Sequence, residues 1–307
     1  LKIVFFGTPE FAVPSLEAVI EAGYDVVGVV TAPDKPSGRG LQLNESAVKK
    51  FAVSKGLKVL QPVKLKDPQF IEELQSLHAD LQIVIAFRMM PEIVWNMPPL
   101  GTFNLHASLL PQYRGAAPIN RAIMNGETYT GLTTFFLKHE IDTGNIVLQE
   151  KVEITNDETA GTLHDKMMIA GAALVVKTLD MVNAGEYPLI EQMASEDIKH
   201  APKIFKEDCK IQWTQNALSI YNQIRGLSPY PAAFCLYKND VFKIYSATII
   251  IEQHSLKPGE FIIEKNILKI ACSDGYILPT EVQAQGKKRM DIKSFLVGFR
   301  PDATSFE

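Results

Sequence analysis

Short apolar runs and capped helical patterns take turns along the first ~185 residues, and no other feature restricts the fold as much. "KIVFF" (2–6) has the length and character of a buried strand. The segment after it, "TPEFAVPSLEAVIEAG", offers Thr8 as N-cap, Pro9 at the first helical position and Gly23 as the stop. "DVVGVVT" (25–31) is a second strand. "NESAVKKFAVSKG" (44–56) is a helix opened by Asn44 and closed by Gly56, and "DPQFIEELQSL" (67–77) begins with Asp then Pro. "LQIVIAF" (81–87) and "GTFNLHA" (101–107) are strands, "AAPINRAIMNG" a helix, and "GLTTFFL" and "NIVLQEKVEI" strands again, before a long helix that runs to Gly185. Strands that alternate with helices pack as a parallel sheet covered on both faces. The sequence therefore predicts a doubly wound, mostly parallel α/β fold.

Beyond Gly185 the pattern stops. Residues 186–208 are charged, carry Pro188 and Pro202 and keep no period, so they read as a linker, set at 190–206 between a first domain 1–189 and a second 207–307. One helical piece (214–226) precedes short β-type runs at "AAFCLY", "VFKIYSATIII", "GEFIIE", "ILKIAC" and "GYILPTEVQ", which predict a small barrel or sandwich. A length of 307 residues suits two such cores.

Composition narrows the function classes. With 46% hydrophobic and 21% charged residues and no purely apolar run near ~18–20 residues, the chain reads as globular with no membrane partner. Its start, "LKIVFFGTPEF", reads as a first strand, and the missing Met points to a trimmed beginning. Cys209, Cys235 and Cys272 are odd in number and widely spaced, which argues against disulfides and structural zinc and for a reducing cytoplasm. Net charge is −4, yet from Lys206 onward 13 basic residues face 11 acidic ones, so this part is near +2 and the preceding part near −6. "GKKRMDIK" (286–293) adds a local basic cluster, equally readable as a solvated hairpin.

The chemistry-bearing stretch is "NLHASLLPQYRG" (104–115). Alternation on a strand sends Asn104 and His106 to one face and Phe103 and Leu105 to the other. They lie at the carboxyl end of a strand, where doubly wound sheets bind ligands. A neutral imidazole can take a proton near pH 7, and an amide N–H can donate to a developing oxyanion. A buried His satisfied by backbone and an Asn closing a turn is the plainer alternative. Asp142, in "HEIDTGNI" (139–146), is a turn residue that could orient His106 if the two loops meet. The loop "PDKPSGRGLQL" (33–43) carries Lys35 and Arg39 among Pro, Ser and Gly, and reads either as a solvated loop or as a basic arm. Gly7 lacks the further glycines of a dinucleotide loop and is explained by a tight turn.

"FNLHASLLPQYRGAAPI" followed by "EIDTG" resembles the active-site signature of the folate-dependent formyltransferases. "IVFFGTPEFAVPSL", "TAPDKPSGRG" and "IRGLSPYPAAF" extend the resemblance over nearly the whole chain and toward members that act on initiator methionyl-tRNA. The resemblance implies a Rossmann-like formyltransferase domain followed by an OB-like, tRNA-binding barrel. It implies formyl transfer from 10-formyltetrahydrofolate to the amino group of initiator methionyl-tRNA, without a metal and without an obligate protein partner. Asn104, His106 and Asp142 become the catalytic residues; Ser108, Leu109, Leu110 and Pro111, with Phe87, Arg88, Met89, Ile141 and Asp142, become the folate site. "AFRMMP" (86–91) departs from the Ala-Tyr-Gly common there, which bears on pterin affinity if Phe87 or Arg88 makes contact. Lys35 and Arg39 would reach the acceptor end of the tRNA, and Lys287, Lys288 and Arg289 would track its phosphates.

Two alternatives remain open at this point. Formylation of a small amine would use the same trio, but a glycinamide ribonucleotide enzyme would lack the C-terminal ~100 residues, and an amino-sugar nucleotide enzyme would not need the basic loop or the barrel's basic strip. A non-catalytic tRNA-binding module is disfavoured by retention of all three polar residues.

Overall fold

The computed structural model describes residues 1–37, 42–193 and 197–307. Elements follow the predicted alternation: β1 (Lys2–Gly7), α1 (Val13–Glu21), β2 (Asp25–Val30), β3 (Lys35–Ser37), β4 (Gln42–Asn44), α2 (Ala47–Ser54), β5 (Val59–Leu60), α3 (Pro68–Gln75), β6 (Leu81–Ile85), α4 (Glu92–Trp95) and β7 (Thr102–His106). Then come β8 (Arg114–Gly115), α5 (Pro118–Met124), β9 (Tyr129–Phe136), β10 (Ile146–Glu153) and α6 (Ala160–Ala184). Among the described residues a seven-stranded sheet runs β10-β9-β7-β6-β1-β2-β5. β1 is parallel to β2 and β6, β6 to β7, and β2 to β5, whereas β9 runs antiparallel to β7. The mostly parallel Rossmann-like fold is therefore present, and its central strands are buried over most of their length, as at Ile3 to Phe6 and Leu81 to Ile85.

Local start signals held at some helices and failed at others. Asp67 caps α3 by accepting from the Gln69 N–H at 3.1 Å. Asn44 does not cap α2, because it pairs with Lys35 in the β3–β4 hairpin; Ser46 takes the role, accepting from the Lys49 N–H at 3.0 Å. Nor does Thr8 open α1, since a 3₁₀ turn over Glu10–Ala12 intervenes. Helix α6 is long and apolar enough by composition to cross a membrane, but Leu163, Met167, Leu174, Val175 and Leu179 are buried in the protein, which identifies it as a core helix. A Cβ on its Gly171 would lie 2.7 Å from Leu105 Cδ2, so this helix seats directly on the back of β7.

Two compact units emerge, and they are interleaved in sequence. The first comprises Leu1–Gly115, Thr130–Val152 and His164–His200, and the second Ala116–Tyr129, Glu153–Leu163 and Ala201–Glu307. Domains at 1–189 and 207–307 around a linker divide the chain continuously, whereas here two short excursions of the first half join the second unit. The buried Arg225 guanidinium explains one of them, donating to the carbonyl oxygens of Thr155 and Glu158 and to Asn222 Oδ1. Residues read as linker also have fixed partners: Ile190 exchanges backbone bonds with Ile146, and Lys199 O accepts from Tyr113 N.

The second unit holds β11 (His200–Ala201, which straddles the boundary), α7 (Ala217–Leu227), β12 (Ala233–Tyr237), β13 (Asp240–Ile251), β14 (Phe261–Glu264), β15 (Ile267–Ala271), β16 (Gly275–Ala284), β17 (Met290–Asp291) and α8 (Ile292–Gly298). Its antiparallel sheet runs β12-β13-β16-β15-β14, with β17 on β16, and encloses Ile220, Ile224, Cys235, Ile244, Ile270 and Ile277 in one core. The last residues join its two edges. Glu307 exchanges backbone bonds with Leu236 on β12, while Phe306 N donates to Gly259 O and Thr304 O accepts from Phe261 N on β14. Phe306, 2% exposed, fills the seam against Tyr237, Phe242 and Phe261. The predicted small barrel is thus built by an antiparallel sheet and a plugging tail.

Candidate active site

β7 sets the geometry by alternation. Phe103 (0% exposed) and Leu105 (3%) enter the core, and Asn104 and His106 point together to the other side. His106 is nevertheless well enclosed, and its Nε2 lies 2.9 Å from the carbonyl oxygen of Tyr113. A carbonyl only accepts, so Nε2 carries the proton. In the neutral ring Nδ1 is then the basic nitrogen. It faces Asp142 Oδ2 at 3.9 Å, too long for a direct hydrogen bond between them and close enough for electrostatic stabilisation of an imidazolium. Asn104 has a buried Oδ1 with no partner among the described residues. An unpaired buried carboxamide oxygen is costly, and a ligand hydrogen-bond donor relieves that cost.

The turn carrying Asp142 is held at several points. Asp142 is left-handed (φ 56°), an uncommon state for a residue with a Cβ. Gly115 N donates to its Oδ2 at 3.0 Å, which aims the carboxylate. Gly144 follows under the chain: a Cβ there would stand 1.6 Å from Phe136 O, so only glycine lets the turn close onto β9. The Arg-Gly that ends "QYRG" is thereby the backbone seat of a carboxylate 27 residues away.

Ser108 to Pro111 form a braced frame. Ser108 is fully buried with its hydroxyl donating to Gln112 O, and Leu110 lies in a core cluster with Phe135 and Ile146. Thr133 accepts from Leu110 N at 3.1 Å and donates to Ser108 O at 2.6 Å, while Gln149 donates to Leu110 O at 2.9 Å. Neither Ser108 nor Leu110 therefore offers its side chain to a ligand; Leu109 and Pro111 are half-buried and retain some surface. From the end of neighbouring β6, half-buried Phe87 packs edge-on to Phe6 at 5.5 Å, and Arg88, its guanidinium 5.6 Å over the Phe87 ring, donates to the carbonyls of Pro62 and Val63. Met89 and Ile141 are 75% and 59% exposed, a pair of unpaired apolar surfaces on the loops that follow β6 and β9.

Basic residues have unequal surroundings. Lys35 is exposed on β3, and Arg39 lies outside the described residues. Lys287 and Lys288 are exposed in the turn between β16 and β17. Arg289 is engaged: its Nε bonds Glu281 Oε1 at 2.6 Å, and the guanidinium lies 4.2 Å over the Tyr245 ring. That pairing holds its pKa above the usual arginine value and sets a carboxylate beside its charge, unlike the exposed Lys287 and Lys288.

With this geometry in hand, the comparisons are specific. A family model for formyl transferase matches residues 1–179, and one for the formyl transferase C-terminal domain matches residues 203–300. The chain belongs to the formyl transferase family. It is 53% identical over 311 residues to a methionyl-tRNA formyltransferase of Parabacteroides distasonis, covering 98% of this chain and 96% of the relative. It is 52% identical over 302 residues to a methionyl-tRNA formyltransferase of Flavobacterium johnsoniae, covering 97% and 96%. Among solved structures, an N-formyltransferase from Helicobacter canadensis in complex with folinic acid and dTDP-3-aminofucose superposes with a TM-score of 0.69 at 22% identity, over 93% of this chain and 99% of that one. That last likeness concerns the fold.

Sequence reading missed Tyr113 and Gln192 as partners of the site. Gln192 acts on a turn 50 positions away, and Tyr113, though only seven residues from His106, acts through its backbone carbonyl, which no side-chain pattern announces.

Proposed function

We propose that this protein transfers the formyl group of 10-formyltetrahydrofolate to the amino group of initiator methionyl-tRNA, in the cytoplasm where that tRNA is used. The observation that carries the reading is the meeting of Asn104, His106 and Asp142 at the carboxyl end of β7, in a chain similar over nearly its full length to methionyl-tRNA formyltransferases. The orphaned Asn104 Oδ1, which calls for a hydrogen-bond donor, and the exposed apolar surfaces of Met89 and Ile141 fit a ligand that is part polar and part aromatic, as a reduced folate is.

The bound formyl donor supplies an activated one-carbon acyl group. His106 takes the proton of the attacking amine at Nδ1, and Asp142, held on Gly115 N, stabilises the resulting imidazolium. Protonated His106 and the Asn104 amide face the oxygen on which negative charge develops. Nε2 stays bonded to Tyr113 O throughout, so the ring keeps its orientation while Nδ1 takes the proton of the amine that bonds to the formyl carbon and delivers it to the folate nitrogen, which leaves as its own bond to that carbon breaks.

Incubation with 10-formyltetrahydrofolate and either charged initiator tRNA or an amino-sugar nucleotide tests the reading. Formylmethionine recovered after deacylation is the expected product; formylation of the sugar nucleotide alone overturns it.

A further inference from the structure

Gln192 belongs to a stretch, residues 180–202, that neither family model matches. Its side chain lies inside the first compact unit and touches three parts of the site's periphery. Arg114 donates to Gln192 Oε1 from Nε at 3.1 Å and from Nη2 at 2.6 Å. Because the guanidinium has only donors, the oxygen of this carboxamide must face it, and the NH₂ group must face the other way. There the Nε2 donates to the backbone carbonyls of Asp142 at 2.9 Å and Gly144 at 2.8 Å. Two carbonyls that converge on one point repel each other, and a bridging NH₂ is the group that lets them do so. The bridged residues flank Thr143 in the left-handed turn that presents the Asp142 carboxylate to His106.

We infer that Gln192, locked by Arg114, is a positioning residue for Asp142: it fixes the turn so that the carboxylate stands beside His106 Nδ1. The inference rests on the catalytic assignment of Asp142 given above. The preceding residue pair supports it, since Ile190 is tied to Ile146 by reciprocal backbone bonds at 2.8 and 2.9 Å and delivers the chain to the spot. Arg114 in turn neighbours Gly115, whose N–H holds the same carboxylate at 3.0 Å. One cation thus braces both seats of Asp142, the side-chain seat through its own backbone and the main-chain seat through Gln192.

The test combines an activity cycle with a measurement blind to activity. Gln192→Ala and Gln192→Glu are compared with the parent, the second keeping the acceptor for Arg114 while placing a carboxylate against two carbonyls. Misplacing a catalytic group by about 1 Å can cost about 10²-fold, so kcat for formyl transfer is expected to fall roughly 10- to 100-fold in both, with KM for folate and tRNA within about 3-fold. In the Asp142→Ala background, Gln192→Ala is expected to add less than about 2-fold, because the group it positions is gone. Hydrogen exchange followed by peptide mass spectrometry supplies the second arm. Gly115 and the 138–145 turn should exchange faster in Gln192→Ala, with β6 and β7 unchanged. Full additivity in the Asp142→Ala background, or unchanged exchange at Gly115 and the turn, overturns the inference. A parent protein that formylates no amine while the variant still loosens the turn leaves the structural role standing and removes the proposed function instead.

Discussion

His106 Nε2 sits 2.9 Å from Tyr113 O, and this one bond assigns both ring nitrogens. With Nε2 committed to the carbonyl, proton traffic is left to Nδ1, the nitrogen that faces Asp142. Tyr113 can serve this way because it is itself left-handed (φ 59°), which turns its carbonyl back over the loop toward β7.

Removal of any member of the trio should act on chemistry. Asn104→Ala deletes an oxyanion donor and is expected to lower the single-turnover rate by about 10²- to 10³-fold. Asp142→Asn keeps an acceptor for Gly115 N–H but loses the charge beside Nδ1, and is expected to cost about 10²-fold. Rapid-quench single-turnover assays with saturating tRNA measure both. A near-parental rate in Asn104→Ala or His106→Ala would show that the assignment is wrong.

The basic loop and the active site should separate functionally. Arg39→Ala is expected to raise KM for methionyl-tRNA while leaving folate affinity, followed by fluorescence quenching, unchanged. Equal loss of both refutes that division.

Unequal phosphate contacts should appear in the salt dependence of tRNA binding. Each phosphate neutralised contributes about −0.7 to −0.9 to the slope of log K against log salt. Lys287→Ala and Lys288→Ala should each flatten the slope by about that amount, whereas Arg289→Ala, already compensated by Glu281, should change it by much less. A full unit of slope lost in Arg289→Ala contradicts the pairing described.

Phe306 should be needed for the second unit to stay closed. A buried Phe truncated to Ala costs about 3–5 kcal/mol, and here it also frees the strand edges that the tail bridges. Calorimetry is expected to show the second unit melting earlier, with the first unit unaffected. An unchanged profile means the tail adds little.

Stability should decline at alkaline pH through the cysteines. Burial pushes the Cys235 thiol far above its ordinary value, and Cys209 and Cys272 are raised for the same reason. In the unfolded chain a thiol ionises near pH 8.5. Above that pH the unfolded state therefore holds fewer protons than the folded one, so stability present below it is lost as pH rises. Urea midpoints across this range should fall less steeply in Cys235→Ala than in the parent. Identical slopes would remove Cys235 as a contributor.

What the chain's own order of residues determined was whatever repeats locally. Apolar runs broken by Asp67-Pro68 and by Gly23, Gly56 and Gly185 defined the α/β elements, because periodicity and capping act within a few residues. Alternation alone placed Asn104 and His106 on one face. Where two local preferences competed for one residue, as at Asn44, strand pairing displaced the cap. Tertiary structure alone decided which distant groups meet: Asp142 with His106 across 36 positions and Gln192 with Asp142 across 50. The physical reason is that such contacts depend on the order and direction of strands and on how each loop closes. The antiparallel entry of β9 beside β7 carries the Asp142 turn to the imidazole, and nothing within a few residues of Asp142 encodes that pairing.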